Sequence, residues 1–160
     1  MRIARLRTPD GVLTGRYEDG VVTTPEKEAV VGDDGHLTYP CSPSAVYCIG
    51  RNYAQTLSQM EYERPDEPDF FIKPPTSLTG PDQPICYPNW TEELTYAGEL
   101  AAVINQQCHE IVPEDVPAVV RGYTMLNDVD ARHQPGRTAR KAFDTSGPLG
   151  TWIEPDIDPH

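Results

Sequence analysis

The sequence is poor in strongly hydrophobic residues and has no long apolar run. Valine, isoleucine, leucine and phenylalanine together make up 32 of the 160 residues, or 20%, a share close to that of disordered chains. No apolar stretch approaches the roughly 20 residues that a membrane-spanning helix needs, so this sequence is not expected to contain one. The first seven residues include three arginines but are followed by no apolar stretch, and we therefore expect no secretory signal peptide.

Cysteine is scarce and unpaired along the chain. The four cysteines (Cys41, Cys48, Cys86 and Cys108) lie far apart and form no C-x-x-C pair. Four cysteines could in principle form two disulfides. Without an export signal we expect them to be reduced and the protein to be cytoplasmic.

Lysine is also scarce, and negative charge dominates. Three lysines and ten arginines stand against 25 acidic residues, giving a net charge of −12 and a pI near 4.6. Such a chain repels nucleic acid and anionic membrane surfaces, so neither is an expected partner. The lysine-poor acidic composition is typical of proteins from a salt-rich cytoplasm; an ordinary acidic protein is the alternative. Concentrated salting-out ions would strengthen burial, so low hydrophobicity would not then imply disorder.

The chain divides into two parts by its local patterns. Residues 1–43 alternate apolar and polar side chains between Gly-containing turns, which predicts a small β meander. Residues 44–160 are predicted as the main domain. There we expect strands over 45–49, 70–72, 99–104, 122–129, 141–143 and 152–153, and helices over 54–60 and 113–120.

Five segments of the main domain occur in an order that resembles the fumarylacetoacetate hydrolase family. They are residues 48–54 (CIGRNYA), 70–81 (FFIKPPTSLTGP), 96–104 (YAGELAAVI), 122–132 (GYTMLNDVDAR) and 141–150 (KAFDTSGPLG). The resemblance implies an α+β, mostly β fold: a mixed β roll, preceded by the small N-terminal β domain of one branch. It also implies divalent-metal-dependent hydrolysis, decarboxylation or keto–enol isomerisation of small oxo or hydroxymuconate-type acids, as in aromatic catabolism.

The resemblance implies a metal site for Mg²⁺, or for Mn²⁺ or Ca²⁺. The family places an E-x-E pair on one strand and a third carboxylate on another. The matching ligands are Glu99 and Asp128, while Ala97 stands where the first glutamate belongs. Losing one carboxylate should weaken Mg²⁺ binding, and Asp130 could be recruited instead. The alternatives are a salt bridge or exposed edge for Glu99, and local turn hydrogen bonds for Asp128.

Two positions of the proton-transfer machinery are also changed. Hydrolytic members of the family have a histidine and, three residues later, a glutamate that activate water. Thr56 and Gln59 stand at those positions, and neither is a general base near neutral pH. Decarboxylation and isomerisation ask less of the protein, because a metal and a cation that hold an enolate can stabilise the developing charge without an activated water.

Three residues are predicted to bind the substrate. Arg51 can hold a carboxylate bidentately, and its alternative role is a surface salt bridge. Lys141 matches a family lysine that contacts substrate oxygens, which makes it the candidate catalytic residue; its alternative is a solvated side chain. Tyr53 is expected to line the pocket, although an aromatic there could equally belong to the core.

Two hypotheses for function follow from these residues. The first is an enzyme acting on a small-molecule oxo acid and forming a homodimer, as members of the family commonly do. The second is a non-catalytic relative that serves as a binding or assembly subunit, because Ala97, Thr56 and Gln59 depart from the family pattern. Family members continue with a Gly-Thr-Pro-Gly-rich loop and further strands, so we expect this sequence to be a partial member.

Overall fold

The computed structural model describes residues 1–159 as a mostly β protein with fourteen short strands and three short helices. In chain order the strands are β1 (Arg2–Thr8), β2 (Gly11–Glu18), β3 (Val21–Thr23), β4 (Glu28–Val30), β5 (His36–Thr38), β6 (Val46–Gly50), β7 (Asp69–Lys73), β8 (Leu78–Thr79), β9 (Leu94–Thr95), β10 (Gly98–Ile104), β11 (Val120–Asn127), β12 (Asp130–Ala131), β13 (Gly147–Pro148) and β14 (Trp152–Ile153). The helices are α1 (Ala54–Gln59), α2 (Val116–Val119) and α3 (Arg137–Lys141), with 3₁₀ turns at Pro75–Ser77 and Pro113–Asp115.

The N-terminal meander forms one antiparallel sheet in the order β14-β1-β2-β3-β4, with β5 also paired to β1. Alternation in β1 buries Ala4 and Leu6, and these pack with Val22 and Ala29 in a small core. Trp152 of β14 packs against this core and stacks on Tyr17. A strand from the main domain therefore completes the N-terminal sheet. The division of the chain into domains at residue 43 stays a prediction.

The main domain contains four further strand pairs. β6–β7, β10–β11 and β9–β12 are antiparallel, whereas β8–β13 is parallel, so the strand pairing is mixed as expected. Buried apolar side chains from these strands, from the loops beside them and from β14 form the core of this part: Phe71, Leu126, Val129, Ala131, Leu149 and Ile153. The mostly β, α+β fold class is confirmed.

Gly122 shows why β11 and β14 can approach closely. Its φ is +147°, and a Cβ there would lie 2.7 Å from Cγ2 of Ile153 and 2.8 Å from the carbonyl oxygen of Glu154. The next residue, Tyr123, exchanges backbone hydrogen bonds with Glu154 at 2.8 and 3.0 Å. Glycine is therefore required at this crossing of the two sheets.

One sequence-based expectation is wrong. The strand predicted over 141–143 is absent, because residues 137–141 form the helix α3 and the N–H of Ala142 donates to the carbonyl of Thr138 at 2.9 Å. The apolar segment there is only two residues long, and the preceding Arg-Thr-Ala-Arg-Lys run is compatible with a helical turn. This helix, missed from the sequence, places basic side chains at the site described below.

The structure also bears on the membrane and the cysteines. Within residues 1–159 no helix could span a bilayer; the longest, α1, has six residues. The four cysteines are free, Cys41 and Cys48 being partly buried and Cys86 and Cys108 exposed.

Candidate functional site

A cavity of about 850 Å³ brings together every residue that the sequence singled out as a ligand or substrate contact. Its walls come mainly from β6, β10, α3 and the residues that follow β6 and β11. The five predicted site residues that line it are Arg51, Tyr53, Glu99, Asp128 and Lys141. The structure therefore supports their proximity, while their roles stay predictions.

Local backbone structure explains how these side chains reach the cavity. Arg51 follows β6 with a φ of +55°, an uncommon conformation for a non-glycine residue, and Tyr53 precedes α1. Glu99 is the second residue of β10, and Asp128 follows the end of β11. Lys141 ends α3. All five residues thus lie at or next to the end of a strand or helix, and these ends meet at the cavity.

Asp128 is buried between two lysines. The ammonium of Lys73 lies 3.1 Å from its Oδ1, and the ammonium of Lys141 donates to its Oδ2. Asp128 also exchanges backbone hydrogen bonds with Ala97, at 2.8 Å from its own N–H and 3.2 Å to its carbonyl. A buried carboxylate needs such compensation, and here two positive charges supply it.

Lys73 is fully buried and holds several segments together. Its ammonium donates to the carbonyl and the hydroxyl of Ser146, at 2.8 and 3.2 Å, and to the carbonyls of Val129 and Lys141. Burial lowers the pKa of Lys73, and the negative charge of Asp128 opposes that effect. The N–H groups of Lys73 donate to these carbonyls. Oδ1 of Asp128 therefore has an ion pair with Lys73 but no hydrogen-bond partner among residues 1–159.

Lys73 was not among the predicted site residues. A signal existed in the sequence, because Lys73 is one of only three lysines and directly follows the apolar residues 70–72. A lysine ending a buried strand has to find buried acceptors, which predicts a partner carboxylate.

Asp130 is paired with Arg140. The guanidinium donates bidentately, with Nε to Oδ1 at 2.8 Å and Nη2 to Oδ2, and Lys141 lies 3.5 Å from the same carboxylate. Burial raises the pKa of Asp130, but the hydrogen bonds from Arg140 and the charge of Lys141 outweigh it, so the pKa falls below its ordinary value. Both carboxylate oxygens of Asp130 are consequently occupied by the ion pair with Arg140.

Glu99 has a different environment from the two aspartates. No ion pair within 4 Å joins it to any of residues 1–159, and burial raises its pKa above the ordinary value. A hydrogen bond from Tyr53 opposes the shift, and the negative charge of Asp128 adds to it. The Tyr53 hydroxyl in turn accepts the N–H of Leu100 at 3.3 Å. Tyr53 therefore connects the turn before α1 to β10.

Arg51 takes part in a loose salt bridge at the rim. Its Nε lies 3.7 Å from Oδ2 of Asp69, whose Oδ1 accepts a hydrogen bond from Arg137 at 2.5 Å. The Arg51 guanidinium also lies 5.3 Å from the centre of the Tyr62 ring. The Arg51 side chain remains nearly half exposed, and its contact with Asp69 is long. The Arg51 guanidinium is therefore accessible to a ligand.

The cavity concentrates positive charge in an otherwise acidic chain. Three carboxylates line it, those of Glu99, Asp128 and Asp130, against five basic side chains: Arg51, Arg132, Arg137, Arg140 and Lys141. The whole chain has only 13 basic residues and a net charge of −12. Such a local excess of cations favours an anionic ligand over a cationic one.

The donor set does not fit a bound divalent cation. Ala97 supplies no carboxylate, both oxygens of Asp128 face ammonium groups, and Asp130 is held by Arg140. Within the described part of the chain, no three His, Cys, Asp or Glu side chains are grouped closely enough to hold a metal. The predicted ligands Glu99 and Asp128 do share the cavity. Of the three carboxylates that line it, Glu99 is the one with no ion pair to any of residues 1–159.

The positions of the hydrolytic dyad offer no base. Thr56 lines the cavity, and neither its hydroxyl nor the amide of Gln59 in the same helix can accept a proton near neutral pH. Water activation at α1 is therefore unsupported by the residues present.

Comparison with known proteins agrees with this fold. The family model described as Fumarylacetoacetate (FAA) hydrolase C-terminal matches residues 45–160. Protein Rv2993c of Mycobacterium tuberculosis is 34% identical over 181 residues, covering 99% of this chain and 68% of that protein. An uncharacterized protein of Archaeoglobus fulgidus is 36% identical over 124 residues, covering 75% of this chain and 50% of that protein. The chain thus spans about half to two thirds of the length of these relatives.

Solved structures share the same architecture. The crystal structure of 5-carboxymethyl-2-hydroxymuconate delta-isomerase from Mycobacterium smegmatis superposes with a TM-score of 0.86 at 31% identity, covering 99% of this chain and 68% of that one. Maleylpyruvate hydrolase from Sphingobium sp. SYK-6, solved with manganese(II) and pyruvate, superposes with a TM-score of 0.74 at 24% identity, covering 96% of this chain and 67% of that one. The manganese(II) ion belongs to the structure of that hydrolase. Taken together with the match over residues 45–160, these findings show that the chain belongs to the fumarylacetoacetate hydrolase family.

Proposed function

We propose that this chain binds a small oxo or hydroxymuconate-type dicarboxylic acid in the cavity and catalyses its keto–enol isomerisation or decarboxylation. The observation that carries the proposal is the group of five basic side chains around one cavity of an acidic chain. Family membership and the hydroxymuconate isomerase among the structural neighbours supply the reaction class. Because the relatives are longer than this chain, the activity of the whole protein is part of the proposal.

Arg51 and Lys141 have distinct roles in this proposal. The half-exposed guanidinium of Arg51 holds a substrate carboxylate with two parallel hydrogen bonds. The ammonium of Lys141, between the carboxylates of Asp128 and Asp130, donates to the oxo oxygen of the substrate. Tyr53 lines the cavity beside Glu99.

Both reactions pass through an enolate. In isomerisation the carbon next to the carbonyl loses a proton and the oxygen gains one. In decarboxylation the electrons of the broken C–C bond pass into the enolate, carbon dioxide leaves, and the carbon then takes a proton from water. A cation at the oxygen stabilises the negative charge that develops there, and the Lys141 ammonium provides one. Neither step needs a water activated by a base at Thr56 or Gln59.

Turnover of defined oxo acids tests the proposal. Oxaloacetate decarboxylation and acylpyruvate ketonisation can be followed by ultraviolet absorbance with the purified chain. We expect turnover by the wild type, loss of kcat in Lys141→Met and a raised KM in Arg51→Gln. Lys27→Met and Arg16→Gln make the same changes at exposed positions outside the cavity and serve as controls. Equal activity in Lys141→Met and Lys27→Met would refute the assigned role of Lys141.

A non-catalytic binding subunit is the second candidate. It is favoured by Ala97, Thr56 and Gln59, which replace the acidic and basic groups that the family resemblance implies. It predicts oxo acid binding without turnover. Turnover that disappears in Asp128→Ala, in protein that retains its circular dichroism spectrum, would contradict this candidate.

We also propose that the chain forms a homodimer. One face of the β6–β7 pair supports the proposal, because its cross-strand pairs Tyr47–Ile72 and Ile49–Phe70 are exposed and largely apolar, although Tyr47 and Ile49 also line the cavity. Light scattering on the purified chain tests the oligomeric state. A monomer at concentrations used for the activity assay would contradict the proposal.

A further inference from the structure

Ala97 lies directly opposite Asp128 in the antiparallel pairing that continues beyond the end of β11. Each residue donates its backbone N–H to the carbonyl of the other, at 3.2 and 2.8 Å. Side chains of such a hydrogen-bonded pair project from the same face, with Cα atoms about 5.5 Å apart. The side chain nearest to Asp128 across the strands is therefore a methyl group, and Ala97 is exposed.

The two aspartates of this site are already paired with cations. Asp128 lies between the ammonium groups of Lys73 and Lys141, and Asp130 is paired with Arg140 and lies within 4 Å of Arg132 and Lys141. A divalent cation would add two positive charges beside these cations. It would also have to displace an ammonium from Asp128, because Lys73 and Lys141 each face one of its oxygens. Lys73 cannot move away easily, since it is fully buried and bound to three backbone carbonyls.

We propose that this chain binds its oxo acid without a divalent cation, with the ammonium groups of Lys73 and Lys141 supplying the positive charge at Asp128. Lys73 neutralises the carboxylate, and Lys141, which is not completely buried, faces the ligand. Ala97 is the residue that determines whether a divalent cation binds, because a glutamate there would add a carboxylate beside Asp128. The identity of the ligand rests on the proposed function, whereas the absence of metal binding is tested separately.

Titration of the full chain with Mn²⁺ tests the proposal. Calorimetry and the electron paramagnetic resonance signal of free Mn²⁺ report binding without reference to activity. We expect no saturable binding by the wild type and saturable binding at one site in Ala97→Glu, because an added carboxylate raises the affinity for a divalent cation. Gly98→Glu adds the same charge one residue away, where a Cβ has only Met125 within 4 Å, at 3.8 Å, and should bind no better than the wild type.

Two results of the Mn²⁺ titration would overturn the proposal. The first is saturable one-to-one binding by the wild type that is lost in Asp128→Asn. The second is equal binding by Ala97→Glu and Gly98→Glu, when both retain the wild-type circular dichroism spectrum. The wild-type measurement decides the main point even if a variant fails to fold.

A ligand titration separates this inference from the proposed function. The probe is 2-oxoglutarate, titrated into the wild type once with EDTA and once with Mn²⁺. Equal affinity under both conditions supports the inference. Binding that requires Mn²⁺ would overturn the inference and leave the proposed function intact. No binding in either condition would contradict the proposed function, while the titration with Mn²⁺ alone would still decide the question of the metal.

Discussion

The ammonium of Lys73 lies 3.1 Å from Oδ1 of Asp128, and both side chains are buried. Lys73 ends β7, while Asp128 follows β11, so this contact joins two strand pairs that share no backbone ladder. Asp128 also receives a hydrogen bond from Lys141 on α3. The site carboxylate is therefore fixed by one lysine and left in contact with a second that lines the cavity.

Replacing Lys73 should destabilise the fold strongly. Lys73→Met removes one partner of a buried ion pair and the donor to the carbonyls of Val129, Lys141 and Ser146, while Lys141 still donates to Asp128. Breaking a buried pair in this way typically costs about 3–5 kcal/mol. Urea unfolding measures the difference in the free energy of unfolding. Lys27→Met, at an exposed position between β3 and β4, should change it by less than about 0.5 kcal/mol. Equal effects of the two variants would show that the buried pair is not a structural element.

The Asp130–Arg140 pair should give stability that depends on pH. The folded-state pKa of Asp130 lies below its ordinary value of 3.8, so the charged carboxylate stabilises the fold above that pH. This contribution is lost as the pH falls through the lowered pKa. We expect the wild type to be more stable than Asp130→Asn above pH 3.8, with the difference shrinking under acid.

Urea unfolding of both proteins across an acidic pH series provides the measurement. Other carboxylates titrate in the same range, but the difference between the two proteins isolates Asp130. A difference between the two proteins that does not shrink as the pH falls below 3.8 would contradict this account.

The cysteines should differ in reactivity. Burial raises the pKa of the Cys48 thiol to about 11, with the charge of Asp128 adding to the shift, and burial also raises the pKa of Cys41. The thiolate is the nucleophile, so both should react slowly with iodoacetamide at pH about 8. Mass spectrometry should show the exposed Cys86 and Cys108 alkylated first. Early labelling of Cys48 in folded protein would contradict its burial beside the site.

Salt should stabilise the chain. The net charge of −12 favours unfolding through self-repulsion, and salt screens exposed charges over about 8–10 Å at ordinary ionic strength. The buried Asp128 and Asp130 are paired within the protein and should contribute little to this effect. We expect the free energy of unfolding to rise between about 0.1 and 3 M KCl. A flat or falling dependence would argue against adaptation to a salt-rich cytoplasm.

Local patterns predicted most of the strands, but they could not predict which strands pair when these are far apart in the sequence. Alternation marks β1 and β2, because side chains of a strand point to opposite faces. The same signal is too short in 141–143, where α3 forms instead. Nothing local shows that β14 joins the N-terminal sheet, since that pairing links residues about 150 positions apart.

The site could be predicted only in part, because some of its contacts also depend on residues far apart in the sequence. Family motifs identified Arg51, Glu99, Asp128 and Lys141, and the fold brings all four to one cavity. The salt bridge of Arg140 with Asp130 and the contacts of Lys73 depend on the position of α3 and on burial. These contacts depend on tertiary structure, which explains why the position of Asp128 between two lysines emerged only from the structure.

Binding of an oxo diacid tests the central claim, that the basic cavity is a site for small oxo acids. Calorimetric titrations of 2-oxoglutarate and glutarate compare two diacids that differ only in the oxo group. The account predicts saturable binding of 2-oxoglutarate, weaker binding of glutarate, and loss of this preference in Lys141→Met but not in Lys27→Met. Failure of the wild type to bind either diacid, or an unchanged preference in Lys141→Met, would contradict it.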